Sequence, residues 1–141
     1  MKKSILNILA VLIGLVIGSG VNMGLITLGP LLIPLPDGVN PNDMESLAES
    51  MHLFAPKHFI FPFLAHALGT LVGASGAYLI ASSYRKLMAY MVGAIFLFGG
   101  IWAATMLPSP RWFLILDLLM AYLPMAFLAV LICARLRRAS E

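Results

Sequence analysis

Apolar residues run almost without interruption through four stretches, at about residues 5–35, 58–81, 87–107 and 112–134, and most polar residues are gathered between them. Each run is near or above the ~20 residues that cross a ~30 Å hydrocarbon core as helix. Lipid offers the backbone no hydrogen-bond partners, and the runs lack the alternation of a barrel strand, so helices are the form they must take. The pattern predicts an all-α fold: a four-helix transmembrane bundle, one membrane domain over residues 1–141, with a single sizeable loop at residues 36–57.

The loop has its own pattern. Its first half is turn chemistry, "PDG" and "NPN", and Asn42 stands three residues before Glu45, the spacing of an N-cap followed by a capping-box acid. Met44, Leu47, Ala48, Met51 and Phe54 then recur at helical spacing while Glu45, Ser46, Glu49 and Ser50 face elsewhere. This predicts a short interfacial helix in the first extracytoplasmic loop, either a lid over the bundle or a passive cap.

Composition strengthens the membrane reading: 61% of the 141 residues are hydrophobic and 11% charged, with a mean hydropathy of +0.97, far from a water-soluble domain. Charge adds a direction. Lys2, Lys3, Arg85, Lys86, Arg135, Arg137 and Arg138 fall at one end of a four-span arrangement, against Lys57 and Arg111 at the other. The positive-inside rule therefore places both termini in the cytoplasm of a multi-pass protein of the plasma (inner) membrane. The pI of about 9.3 follows from this juxtamembrane charge, and no nucleic-acid partner is implied. The opening "MKKSILNILAVLIGLVIGSG" has the lysines and apolar run of a secretory signal, but the run continues through "VNMGLITLGPLLIP", beyond the length of a signal core, so a retained span is expected. The single cysteine, Cys133, is expected as a small core residue.

Small residues indicate how the spans meet. In lipid, helices associate through close packing and interhelical hydrogen bonds. Gly14, Gly18 and Asn22 lie at i, i+4 and i+8 in the first span, with Asn7 about two turns earlier. Gly69, Gly73 and Ala77 follow His66 along the second, and Gly93, Leu97, Gly100 and Ala104 mark the third. An antiparallel bundle satisfies these stripes, and so does a homo-oligomer or a contact with another membrane protein, the bilayer being the one partner the pattern requires.

The candidate chemistry is sparse. Asp117 is the one acid within a span, at a cost of ~2.5–3.5 kcal/mol on insertion scales when central and unpaired. "PKHFI" at 56–60 and "PRWFL" at 110–114 each open a span running the same way. Counted from the two prolines, His66 is ten residues deep and Asp117 seven, a difference of about 4.5 Å at 1.5 Å per residue. His66 is thus the expected partner of Asp117, and Asn22 is expected to join them in a buried polar or ion site. A transition metal on His52, His58, His66 and Glu49 is a weaker alternative, since no HExxH, CxxC or paired-histidine spacing supports it. No cofactor is expected, and no nucleophile, phosphate-loop or dinucleotide motif is present.

The segments "IGSGVNMG", "MESLAESMHLFAPKHFIFPFLAHALGTLVG" and "MLPSPRWFLILDL" resemble a group of small bacterial four-span integral membrane proteins over nearly the whole chain. The resemblance implies the topology and a bacterial plasma membrane, directs attention to His66, Asn22 and the Pro56–His58 span entrance, and brings no activity with it. Three function classes follow: transport or conductance of protons, ions or a small solute through the His/Asp/Asn cluster; a noncatalytic accessory or assembly protein in which those residues lock helices together; and, third, a metal-dependent or lipid-acting membrane enzyme.

Overall fold

The structure, a computed structural model, describes residues 2–139. Six α-helices form: α1 Lys2–Leu32, α2 Met44–Ser50, α3 Ile60–Ile80, α4 Arg85–Met106, α5 Arg111–Met120 and α6 Leu123–Ala139. Among the described residues there is no strand. Four helical stretches, Lys2–Leu32, Pro56–Ile80, Arg85–Met106 and Arg111–Ala139, are long and apolar enough to cross a membrane. Their outer surface carries large apolar side chains such as Val16, Leu31, Phe98 and Trp102, each about 70% exposed. Soluble monomers rarely expose contiguous apolar patches beyond a few hundred Å², so the chain has the exterior of a multi-pass membrane protein.

The spans run antiparallel to their sequence neighbours, and α3 sits at the centre, against α1, α4 and α6. Its central place follows from its small side chains: Ala65, Ala67, Gly69, Gly73, Ala74 and Ala77 are all buried. Against α1 the approach is close enough to exclude a side chain. A β-carbon placed on Gly14 would lie 2.6 Å from the Gly73 carbonyl oxygen, and one on Gly18 2.6 Å from that of Gly69. The reciprocal distances, Gly73 to Gly14 and Gly69 to Gly18, are 2.7 and 2.9 Å. Gly93 of α4 faces the Ala126 methyl in the same manner, and a β-carbon on Gly100 would collide with the Tyr122 hydroxyl. The core they enclose is built mainly of small residues, Ala10, Ala74, Ala77, Ala89, Ala126, Ala129 and Cys133 among them.

One end of the bundle is tied by Asn7. Its Oδ1 accepts from the Ser82 and Ser83 amides and the Ser82 hydroxyl, all at 3.2 Å, and its Nδ2 donates to the Ser83 hydroxyl at 3.0 Å. The short α3–α4 turn, with Tyr84 at φ 50°, is thus held by a side chain of α1, which supplies partners to the turn's amides. At the other end the two matching span entrances lie side by side: the Phe59 ring centroid is 4.7 Å from Phe113 and 5.5 Å from Trp112, with Met51 of the loop buried beside them.

Three sequence expectations change. The first span ends at Leu32 rather than residue 35, where Pro34 and Pro36 bias the chain away from helix. The cap of α2 is Asp43, which accepts from the Glu45 and Ser46 amides at 3.3 Å, while the Asn42 amide is itself bound by the Asn40 side chain. Most consequential, the fourth span is interrupted at Ala121 and Tyr122. Pro124 has no N–H to give the carbonyl four residues before it, and its ring would crowd that carbonyl.

Candidate functional site

Asp117 lies on α5, near the loop end of the fourth span, and is 4% exposed. The His66 Nδ1 is 2.9 Å from each carboxylate oxygen, and the Tyr122 hydroxyl donates to Oδ2 at 3.1 Å. The imidazole also stacks on the Tyr122 ring, centroids 5.7 Å apart and planes inclined by 27°. A carboxylate only accepts, so Nδ1 carries the hydrogen and Nε2 is left with its lone pair in the neutral ring. Thr70 returns its hydroxyl to the His66 carbonyl at 2.7 Å, which ties that side chain to its own helix.

Beside this group is a cavity of about 230 Å³, bounded by α1, α3, α4 and Tyr122, whose walls include Asn22, His66, Thr70, Phe96 and Gly100. That is space for several waters at ~30 Å³ apiece. Among the described residues no buried side-chain nitrogen or oxygen lacks a hydrogen-bond partner. Nε2 of His66 makes no such bond, so it is the ring atom left accessible, on a side chain 24% exposed. The arrangement is a buried carboxylate that holds one imidazole nitrogen and so fixes the ring's orientation and tautomer, while the other nitrogen stays open.

Asn22 lines the same cavity as His66 but makes no direct hydrogen bond to the pair. It packs from α1 against Gly69, at 3.1 Å from where a β-carbon there would stand, and faces the cavity without a hydrogen bond of its own. The proposed metal ligands are also kept apart, and among the described residues no three His, Cys, Asp or Glu side chains are grouped to hold an ion. His58 is fully used by backbone: the Ala55 amide donates to Nδ1 at 2.9 Å and Nε2 donates to the Pro34 carbonyl at 3.2 Å, so it has no lone pair left for a metal. His52 bonds the Glu49 carbonyl at 2.8 Å, on the loop.

Tyr122 is the residue that sequence reasoning missed. It lies five positions after Asp117, which at 100° per residue is about 140° away on a continuous helix. The interruption above Pro124 removes that constraint, and the motif "DLLMAYLP" contains both the acid and the breaker. Compared with protein-family models, curated proteins and solved structures, the chain matches none.

Proposed function

We propose that the chain is a bacterial plasma-membrane protein that moves protons, alone or together with a small solute, through the site formed by His66 and Asp117. The observation that carries this reading is the open Nε2 beside the cavity, on a ring whose other nitrogen is held by a buried carboxylate. An intramembrane ionisable group facing a cavity is the usual mark of a proton or ion path, and cavity water supplies the exchange partner. In reconstituted vesicles carrying an imposed pH gradient, wild-type protein should dissipate the gradient faster than empty vesicles, and His66→Gln should return the rate to the empty-vesicle value. No flux from folded wild-type protein would overturn the reading.

The noncatalytic accessory or assembly reading draws on a different observation: Asp117 is satisfied from within, by α3 and by its own span, as a clasp that sets helix register would be. It predicts no flux in wild type and a loss of partner association when the clasp is cut.

Both readings share one orientation, with the termini in the cytoplasm and the loop 36–57 outside, supported by the clustering of seven basic residues at the terminal end. Reporter fusions at Ser83 and after the C-terminus should both report cytoplasm; an outside signal at either would reverse it.

A further inference from the structure

A second recess lies at the terminal end of the bundle, far from His66. It is a groove of about 610 Å³ lined by Tyr78, Ser83, Arg85, Lys86, Leu87 and Arg137, with the exposed Tyr84 at its rim. Three of these side chains are cationic. The five described acidic residues, Asp37, Asp43, Glu45, Glu49 and Asp117, all belong to the loop or the loop half of the bundle.

The donors in the groove are already positioned. Arg85 uses Nη1 on the Tyr78 and Leu79 carbonyls, at 3.3 and 3.2 Å, which holds the guanidinium still and leaves its remaining N–H groups for a ligand. The Ser83 oxygen accepts from Asn7, so its own hydrogen is available. Tyr78 is 94% buried, being 6% exposed, yet among the described residues its hydroxyl has no hydrogen-bond partner. No fully buried polar atom among the described residues is left without one, so that hydroxyl keeps some open surface, on a residue that lines the groove. A nearly buried phenol with no partner among the described residues, beside a pinned arginine and a lysine, calls for an acceptor with several oxygens and negative charge.

We infer that this groove binds the phosphate headgroup of an anionic phospholipid, with Tyr78, Ser83, Arg85 and Lys86 donating to the phosphate oxygens. A lipid is the source that fits the surroundings: Leu87 in the groove wall is 53% exposed and Leu79, beside Tyr78 at the end of α3, 56% exposed, so acyl chains have apolar surface to follow. Basic recesses between helix ends are the known form of headgroup recognition, and donors held in place before binding lower its entropic cost.

The test uses the full-length protein, stripped of lipid in detergent and titrated with phosphatidylglycerol, with phosphatidylcholine of the same chains, or with glycerol 3-phosphate. Bound lipid is read by native mass spectrometry and protection by thermal shift. Phosphatidylglycerol should bind at least tenfold more tightly than phosphatidylcholine. Tyr78→Phe, which removes no hydrogen bond among the described residues, and Lys86→Gln should each weaken it about tenfold, the worth of one hydrogen bond to a charged group. Arg135→Gln removes the same charge outside the groove and should leave affinity within twofold. Equal binding of phosphatidylcholine, an Arg135→Gln loss matching that of Lys86→Gln, an unchanged affinity in Tyr78→Phe, or glycerol 3-phosphate binding as tightly as the lipid would each overturn the assignment.

Discussion

Gly18→Leu should prevent the bundle from closing, while Gly20→Leu, two residues along the same helix, should leave stability unchanged or slightly raised. The contrast is geometric. At Gly18 even a β-carbon would stand 2.6 Å from the Gly69 carbonyl oxygen and 2.8 Å from the Phe96 ring, and the nearer obstacle is backbone of the central helix, which cannot rotate aside. Ordinary overpacking costs ~1–3 kcal/mol because side chains share the strain; here α1 and α3 must separate along the seam that also holds Gly14 and Gly73. At Gly20 no atom lies within 4 Å of a β-carbon, and leucine has the better helix propensity by several tenths of a kcal/mol. Unfolding by denaturing detergent, followed by circular dichroism, would measure both. Comparable losses in the two variants would mean that the α1–α3 contact is not the one described.

The second large effect is expected at the polar clasp. His66→Ala strips the Asp117 carboxylate of its closer donor and leaves only the Tyr122 hydroxyl; Asp117→Ala leaves the His66 Nδ1–H and that hydroxyl without their acceptor. Hydrogen bonds to charged groups contribute ~1.5–3 kcal/mol, whereas interhelical bonds in membranes average ~0.6. The upper part of this span is expected because the acceptor is 4% exposed and has little water to turn to. Each single variant should therefore lose roughly 2 kcal/mol. The double variant should lose less than their sum by about 1 kcal/mol or more, since the second removal takes away a group already orphaned. Additivity within ~0.5 kcal/mol would show two independent residues. Loss of proton flux with stability retained in His66→Gln is a separate outcome and bears on the proposed function alone.

Much of the architecture was legible because lipid is a severe solvent. A run of twenty apolar residues has one low-cost conformation in it, so span number and approximate limits follow from hydropathy, and the seven cations at one end of the pattern suggest an orientation. The small-residue stripes were legible for a related reason: with little hydrophobic drive between helices, close approach must be written in glycine and alanine. The pairing of His66 with Asp117 could be anticipated from depth, since two ionisable groups on spans that run the same way meet when their distances from the membrane surface agree.

Other features depended on atoms brought together from distant parts of the chain. Asn42 and Asp43 are both good caps, and the choice between them rests on turn geometry that the adjacent Asn40 and Ser46 set. Periodicity along a single unbroken helix would have pointed Tyr122 away from Asp117, and its place in the site depends on the break that Pro124 imposes. Asn22 has the right depth and lines the same cavity as His66, but with its Cβ against Gly69 across the α1–α3 seam it makes no direct hydrogen bond to the pair. The histidines of the loop have ligand chemistry, yet backbone carbonyls and an amide reach His52 and His58 first. The sequence by itself determined the solvent, the helices and the residues that must be paired; the tertiary structure decided which partner each polar group found, because a hydrogen bond depends on distances of a few tenths of an ångström that no spacing along the chain records.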